Sequence, residues 1–215
     1  MRLVKYVERN NKLIFSGCFC CSLVILRYLI SFDFYYFFLI WNLLLAGIPF
    51  LLSQFLETIC KNKSTFFVIM GVWLLFLPNS FYVITDLIHL KTSEMKIYDS
   101  LMISSFALLC LFLGFSSMQK VSLILSRKFS SLHNFILNSL ILFLCSFGIY
   151  LGRFLRYNSW DLFNNPFNLV KDCLNFIRFP VQHHYVWVFT FAFGAILTGF
   201  YFIFQKMIPQ IDEDK

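Results

Sequence analysis

Apolar runs recur along this chain from end to end, separated by short polar connections. A hydrocarbon core about 30 Å thick takes about 20 residues of helix to cross. Six runs read as such helices, near residues 13–30, 34–55, 65–88, 100–115, 132–152 and 185–204. Two further stretches have mixed periodicity. The sequence MQKVSLILSRKFS at 118–130 is basic and partly amphipathic, which predicts a helix on the membrane surface. Between 166 and 178, Phe167, Leu169, Val170, Cys173, Leu174, Phe176 and Ile177 alternate at helical spacing with Asn168, Lys171, Asp172, Asn175 and Arg178. Asn165-Pro166 has the form of a cap followed by a first-turn proline, and Pro180 ends the run. The expected fold class is therefore all-α. It is a polytopic membrane helix bundle of six transmembrane helices with an outer-face interfacial amphipathic helix, in a single integral-membrane domain over residues 1–215.

One run departs from the pattern. Residues 73–90, WLLFLPNSFYVITDLIHL, begin as an ordinary span, then Pro78 interrupts and polar groups enter at Asn79, Tyr82, Asp86 and His89. Those positions step by three, four and three residues, which on a helix forms one stripe. A charge at the bilayer centre costs about 2.5–3.5 kcal/mol even on a lenient insertion scale. The stripe is thus expected to face protein or a water-filled cavity. An unbroken helix from Thr65 would put Asp86 about 31 Å on, at the far interface. In the fifth span Asn134, Asn138, Cys145, Gly148 and Gly152 share a face, and Gly148-x-x-x-Gly152 is a close-packing signal. Pro49 is expected to bend the second span.

Composition agrees with a membrane protein: 59% hydrophobic, 13% charged, mean hydropathy +0.73. The formal charge of +7 sits in short loops beside spans, where it sets orientation, and does not indicate a nucleic-acid partner. With six spans, the side holding both termini carries eleven Lys and Arg, and the other side six, Lys91, Lys96, Arg153, Arg156, Lys171 and Arg178. Lysine and arginine concentrate on the cytoplasmic side, so both termini are expected in the cytoplasm. The first run is too long for a signal-peptide core and is expected to stay uncleaved. Arg27 near its end either snorkels to the interface or turns inward to a carboxylate. The seven cysteines show no zinc or haem spacing, and packing is the reading for them.

Two polar segments then emerge on one side. One brings Asn79, Tyr82, Asp86, His89, Tyr98 and Asp99, the other Arg153, Arg156, Asn158, Ser159, Trp160 and Asp161, joined by His183 and His184. Asp86 and His89 suit catalysis as a general base with its orienting partner. They also suit two ligands of a divalent metal, with Asp99, Asp161 or His184 completing the shell. Asn79, Tyr82, Arg153, Arg156, Asn158 and Trp160 suit binding of an anionic lipid-like or envelope substrate, since arginine holds phosphate bidentately. Membrane lipid is the expected partner. The structural alternative has Asp86 paired with Arg153 or Arg156, pinning the third span to the fifth, with the histidines interfacial and Trp160 a belt aromatic. Three classes stay open: a site-bearing protein with hydrolase or transferase chemistry, a small transporter component, and a non-catalytic subunit of an envelope complex.

These residues carry a resemblance. Pro78, Asn79, Tyr82, Thr85, Asp86, Leu87, His89 and Leu90, then Tyr98-Asp99, then Gly152, Arg153, Arg156, Asn158, Ser159, Trp160 and Asp161 resemble the recurring blocks PN-x-x-Y-x-x-TDL-x-HL, YD and GR-x-x-R-x-NSWD. Those blocks belong to DUF1361, a bacterial integral-membrane family of unknown function. The resemblance implies a multi-span protein of the bacterial cytoplasmic membrane, and no reaction.

Overall fold

The computed structural model describes residues 2–59, 63–126 and 131–208. The Lys61 loop, Arg127 and Lys128, and the acidic tail beyond 208, which enter the charge count above, lie outside the described residues. Among the described residues every regular element is a helix, and six helices are long and apolar enough to cross a membrane. They are α1 (Arg2–Ser31), α2 (Phe38–Ile59), α3 (Lys63–Tyr82), α4 (Lys96–Ser126), α5 (Ser131–Phe154) and, last in the chain, α8 (His184–Met207). A single turn, α6 (Asp161–Asn164), and the amphipathic α7 (Pro166–Arg178) lie between α5 and α8. This is an all-α polytopic membrane bundle.

The physical centre is α4. Over half of its most apolar window, 56%, is buried, against at most 33% in any other spanning helix. On one side Met102, Ile103, Phe106 and Cys110 of α4 pack with Cys20 and Val24 of α1 and Leu39 and Ala46 of α2. On the other, Phe115, Met118 and Val121 pack with Trp73, Leu77 and Phe81 of α3, Leu142, Cys145 and Ile149 of α5, and Leu197 and Tyr201 of α8. This packing overturns one expectation. The 118–126 stretch does not leave the fourth span to lie on the surface; α4 continues through it as one helix beyond the expected 100–115. Met118, Gln119, Val121 and Ser122 are buried there, so their apolar contacts lie inside the bundle. Ser122 receives side-chain hydrogen bonds from Asn134 (3.1 Å) and Asn138 (2.9 Å) of α5.

Close approach uses glycine where a side chain has no room. A Cβ on Gly114 would lie 2.7 Å from Ser80 Cβ, and one on Gly194 would lie 2.6 Å from the Phe143 ring. A Cβ on Gly148 would lie 3.1 Å from Pro78 Cγ, so α5 packs on the proline of α3 at Gly148. Polar groups inside the bundle find internal partners, as a low-dielectric interior demands, with Thr190 Oγ1 the exception among the described residues. Trp73 donates to Ser117 (2.7 Å), and Ser117 donates to the Pro49 carbonyl (2.8 Å). Ser80 donates to the Ala46 carbonyl (3.2 Å), so α2 is tied to both α3 and α4 around Pro49.

The α3 helix also differs from the sequence pattern. Pro78 does not interrupt it; the α-helix runs on to Tyr82 and only then tightens into a 3-10 helix, Val83–Thr92. Proline removes one hydrogen bond and crowds the carbonyls of the preceding turn. Here two side chains exploit that turn: Asn79 donates to the Phe76 carbonyl (3.0 Å), and Ser159 donates to the Leu75 carbonyl (3.2 Å).

Candidate functional site

The 3-10 helix gives the polar residues a different arrangement from the stripe. At three residues per turn, positions three apart eclipse. Val83, Asp86 and His89 therefore stack on one line, and Tyr82 with Thr85 on the next. Both lines meet α5 at Arg153. Arg153 donates to the Asp86 carboxylate. It donates to Thr85 Oγ1 from Nε (2.9 Å) and Nη2 (2.6 Å). Its Nη1 is 3.4 Å from His89 Nε2. Its guanidinium lies 4.4 Å from the Tyr82 ring centroid, a cation–π contact.

The second carboxylate oxygen of Asp86 accepts from Asn42 Nδ2 of α2 (3.0 Å). Asp86 is thus held by two other helices, and its side chain is 1% exposed against 14% for Arg153 and 28% for His89. His89 Nε2 lies 3.9 Å from Asp86, while Nδ1 is 2.8 Å from the Tyr35 hydroxyl. The ring is thus contacted at both nitrogens, by Arg153 on one side and Tyr35 on the other.

A second ion pair sits beside the first. Arg27 of α1 turns inward and donates from Nε to Asp99 Oδ1 (2.7 Å). Asp99 Oδ2 also accepts from Tyr36 (2.7 Å) and Ser93 (2.6 Å). Asp99 is in the first turn of α4 and is fully buried. Neighbouring Tyr98 donates to the Leu23 carbonyl (2.7 Å) and so also ties α4 to α1.

The other expected members are placed elsewhere. Arg156 lies beyond the helix that carries Arg153. The α-helix stops at Phe154, and Arg156 takes a left-handed backbone (φ 62°) while the Tyr157 N–H reaches back to the Leu151 carbonyl (3.2 Å). Gly152 leaves room for that turn: a Cβ there would lie 3.4 Å from Tyr157 O and from the Tyr82 ring. Arg156 is exposed. Asp161 accepts from the Asn158 N–H (2.6 Å) just ahead of α6, and Trp160 is at the start of that turn. Asn79 donates to Ser159 (3.0 Å), locking the first block to the last. His184 lies 3.1 Å from the Val181 carbonyl. The proposed metal set of Asp86, His89, Asp99, Asp161 and His184 is therefore dispersed. Among the described residues no three His, Cys, Asp or Glu side chains gather as a metal site would need. The physical reason is that Asp99 and Asp161 each have nearer donors.

Outside the spans, α7 presents Phe167, Val170, Leu174 and Ile177 outward and buries Phe176. Its polar side is tied down by Tyr157, which donates to Asp172 (2.8 Å); that bond raises the phenol's pKa. Burial raises that of Cys173. Two apolar clefts open on the bundle's flanks, about 450 Å³ between α1 and α4 and about 610 Å³ between α5 and α8; neither is lined by Asp86, His89 or Arg153.

Sequence reasoning brought out Asp86, His89 and Arg153 but not Asn42, Tyr35, Tyr36 or Ser93. A lone Asn42 in an apolar span was the signal for the first, since an amide there needs a partner. Tyrosines at a membrane interface carry no such signal.

Six spanning helices cross-tied by two buried ion pairs define a multi-pass α-helical membrane protein. The chain belongs to the family described as "Protein of unknown function (DUF1361)", whose model matches residues 41–199. That match takes in both polar blocks and leaves Arg27, Tyr35 and Tyr36 outside it. No curated protein and no solved structure matches the chain.

Proposed function

We propose that this is a protein of the bacterial cytoplasmic membrane, with both termini cytoplasmic, that acts as a non-catalytic assembly or accessory subunit of an envelope complex. One observation carries the reading. Both Asp86 oxygens are engaged, by Arg153 and by Asn42, and the side chain is 1% exposed. A general base must reach its substrate's proton, and this carboxylate faces only its own bundle. The Asp86–Arg153 pair works here as a cross-link between α5 and the 3-10 helix that continues α3.

A second reading rests on the other edge of the cluster. His89 is 28% exposed beside Arg153, which suits capture of an anionic lipid-like or envelope group, with Asn79, Tyr82, Asn158 and Trp160 nearby in the sequence blocks. Replacing a buried ion pair by apolar residues of similar volume is often neutral or stabilising. The double substitution Asp86→Leu with Arg153→Met therefore separates the two. Cells carrying it in place of the native gene should behave as wild type if the pair only assembles the bundle. A folded double variant with the deletion phenotype would sink the non-catalytic reading and favour the second.

A further inference from the structure

We propose that the cleft between α5 and α8 is a binding site for one acidic phospholipid, with an acyl chain in the cleft and the phosphate at its rim. The site is separate from the Asp86–Arg153 lock. Its walls are Tyr150 and Phe154 of α5 and Tyr185, Phe189, Ala192 and Phe193 of α8, and its volume is about 610 Å³. Binding pockets for small ligands run to about 300–1,000 Å³. This one lies between two spanning helices, so bilayer chains are the molecules in contact with it.

The rim supplies the charge. Phe154, a wall residue, stands two positions before the exposed Arg156. Tyr185, another wall residue, carries the exposed His184 ring at 4.0 Å. The C-terminal half of α7 is anchored at the same end. Phe176 lies 6.4 Å from the Tyr150 ring and 4.9 Å from His183, and the Phe176 carbonyl accepts from Trp187 Nε1 (3.3 Å). Arg178 follows two residues on, exposed, with its guanidinium 5.4 Å from the Phe179 centroid. Among the described residues neither Arg156 nor Arg178 forms an ion pair. Two exposed guanidinium groups, one two residues beyond the wall residue Phe154 and one two residues beyond Phe176, match a phosphodiester that arginine grips with paired hydrogen bonds.

The test uses the full chain in nanodiscs of phosphatidylglycerol and phosphatidylcholine in equal amounts, with co-purifying lipid counted by native mass spectrometry. Phosphatidylglycerol should be retained roughly tenfold over phosphatidylcholine, an advantage that falls as sodium chloride rises and screens the rim. Arg156→Gln with Arg178→Gln should bring the two lipids to parity while lipid remains bound. Ala192→Trp, at an exposed cleft position, should displace both. Unfolding midpoints in detergent report whether each variant is folded. Equal retention of the two lipids by the unsubstituted protein, or a preference indifferent to salt, would overturn the proposal and leave only unselective annular lipid.

Discussion

Tyr35 and Tyr36 are adjacent in the chain and serve different ion pairs. Tyr35 reaches His89 Nδ1 at 2.8 Å, beside Asp86 and Arg153, and Tyr36 donates to Asp99 at 2.7 Å, beside Arg27. The short 3-10 turn at Tyr35–Phe37 sends successive side chains to either side of the connection. Two buried charge pairs, linking the 3-10 helix after α3 to α5 and α1 to α4, are thereby joined through one turn ahead of α2.

The two tyrosines should differ in weight. Tyr36 is buried, and Tyr36→Phe withdraws a donor from a fully buried carboxylate. A buried group left short of a hydrogen bond costs about 1–3 kcal/mol. Tyr35 is 47% exposed, so water replaces its hydroxyl in Tyr35→Phe. Unfolding in detergent, followed by circular dichroism, should show a clear loss for the first and a much smaller one for the second. Equal losses would contradict the burial difference.

The Arg27–Asp99 pair should behave as a unit. Arg27→Met strands a buried carboxylate and should cost about 3–5 kcal/mol, whereas Arg27→Met with Asp99→Leu should recover most of that. The recovery is the decisive quantity. If the double variant is as weak as the two single losses added, the residues are not coupled.

Glycine substitutions should sort by the space around each position. Gly114→Ala and Gly194→Ala force contacts of 2.7 Å and 2.6 Å onto Ser80 and Phe143, and overpacking of that kind costs about 1–3 kcal/mol. Gly17, Gly47, Gly71 and Gly199 have nothing within 4 Å of the added carbon, so alanine there should be neutral or slightly stabilising. A ranking of folded yield that ignores this division would argue against the helix contacts described.

The Tyr157–Asp172 bond predicts a response to alkali. Its phenol has a pKa raised above the ordinary 10.0 by hydrogen bonding to the carboxylate. A raised folded-state value means the bond's contribution is complete below pH 10 and is lost as pH rises through the folded value. The unfolding midpoint in detergent should therefore fall more steeply above that pH in the native protein than in Tyr157→Phe, which lacks the bond at every pH. Parallel pH profiles for the two proteins would discount the bond.

Topology offers a direct check of the membrane assignment. A cysteine at Glu94 and one at Arg156, both exposed at the ion-pair end, should react with an impermeant thiol reagent added outside intact cells. One at Ser126, at the far end of α4, should not. Labelling in the reverse sense would invert the orientation expected from the lysine and arginine counts.

The sequence by itself determined the helices and their class. Lipid offers no hydrogen-bond partners, so each long apolar run must satisfy its backbone as a helix, and run length alone fixes what can cross. The amphipathic α7 was legible for the same kind of reason, since its period of apolar positions and its proline punctuation are local properties. Asp86 and Arg153 were recognisable as residues in need of partners, because charge in an apolar run is costly wherever the chain goes. Tertiary structure decided which partners they have. Arg27 with Asp99, and Asp86 with Arg153, are separated by 72 and 67 residues, and such pairings depend on which helices become neighbours. The same holds for α4, whose lower half is buried rather than spread on the surface because α3, α5 and α8 close around it. It holds too for the 3-10 turn that aims Asp86 and His89, since α-helix and 3-10 helix differ by little in local energy and the contacts of Arg153, Asn42 and Tyr35 stand on one side of that balance.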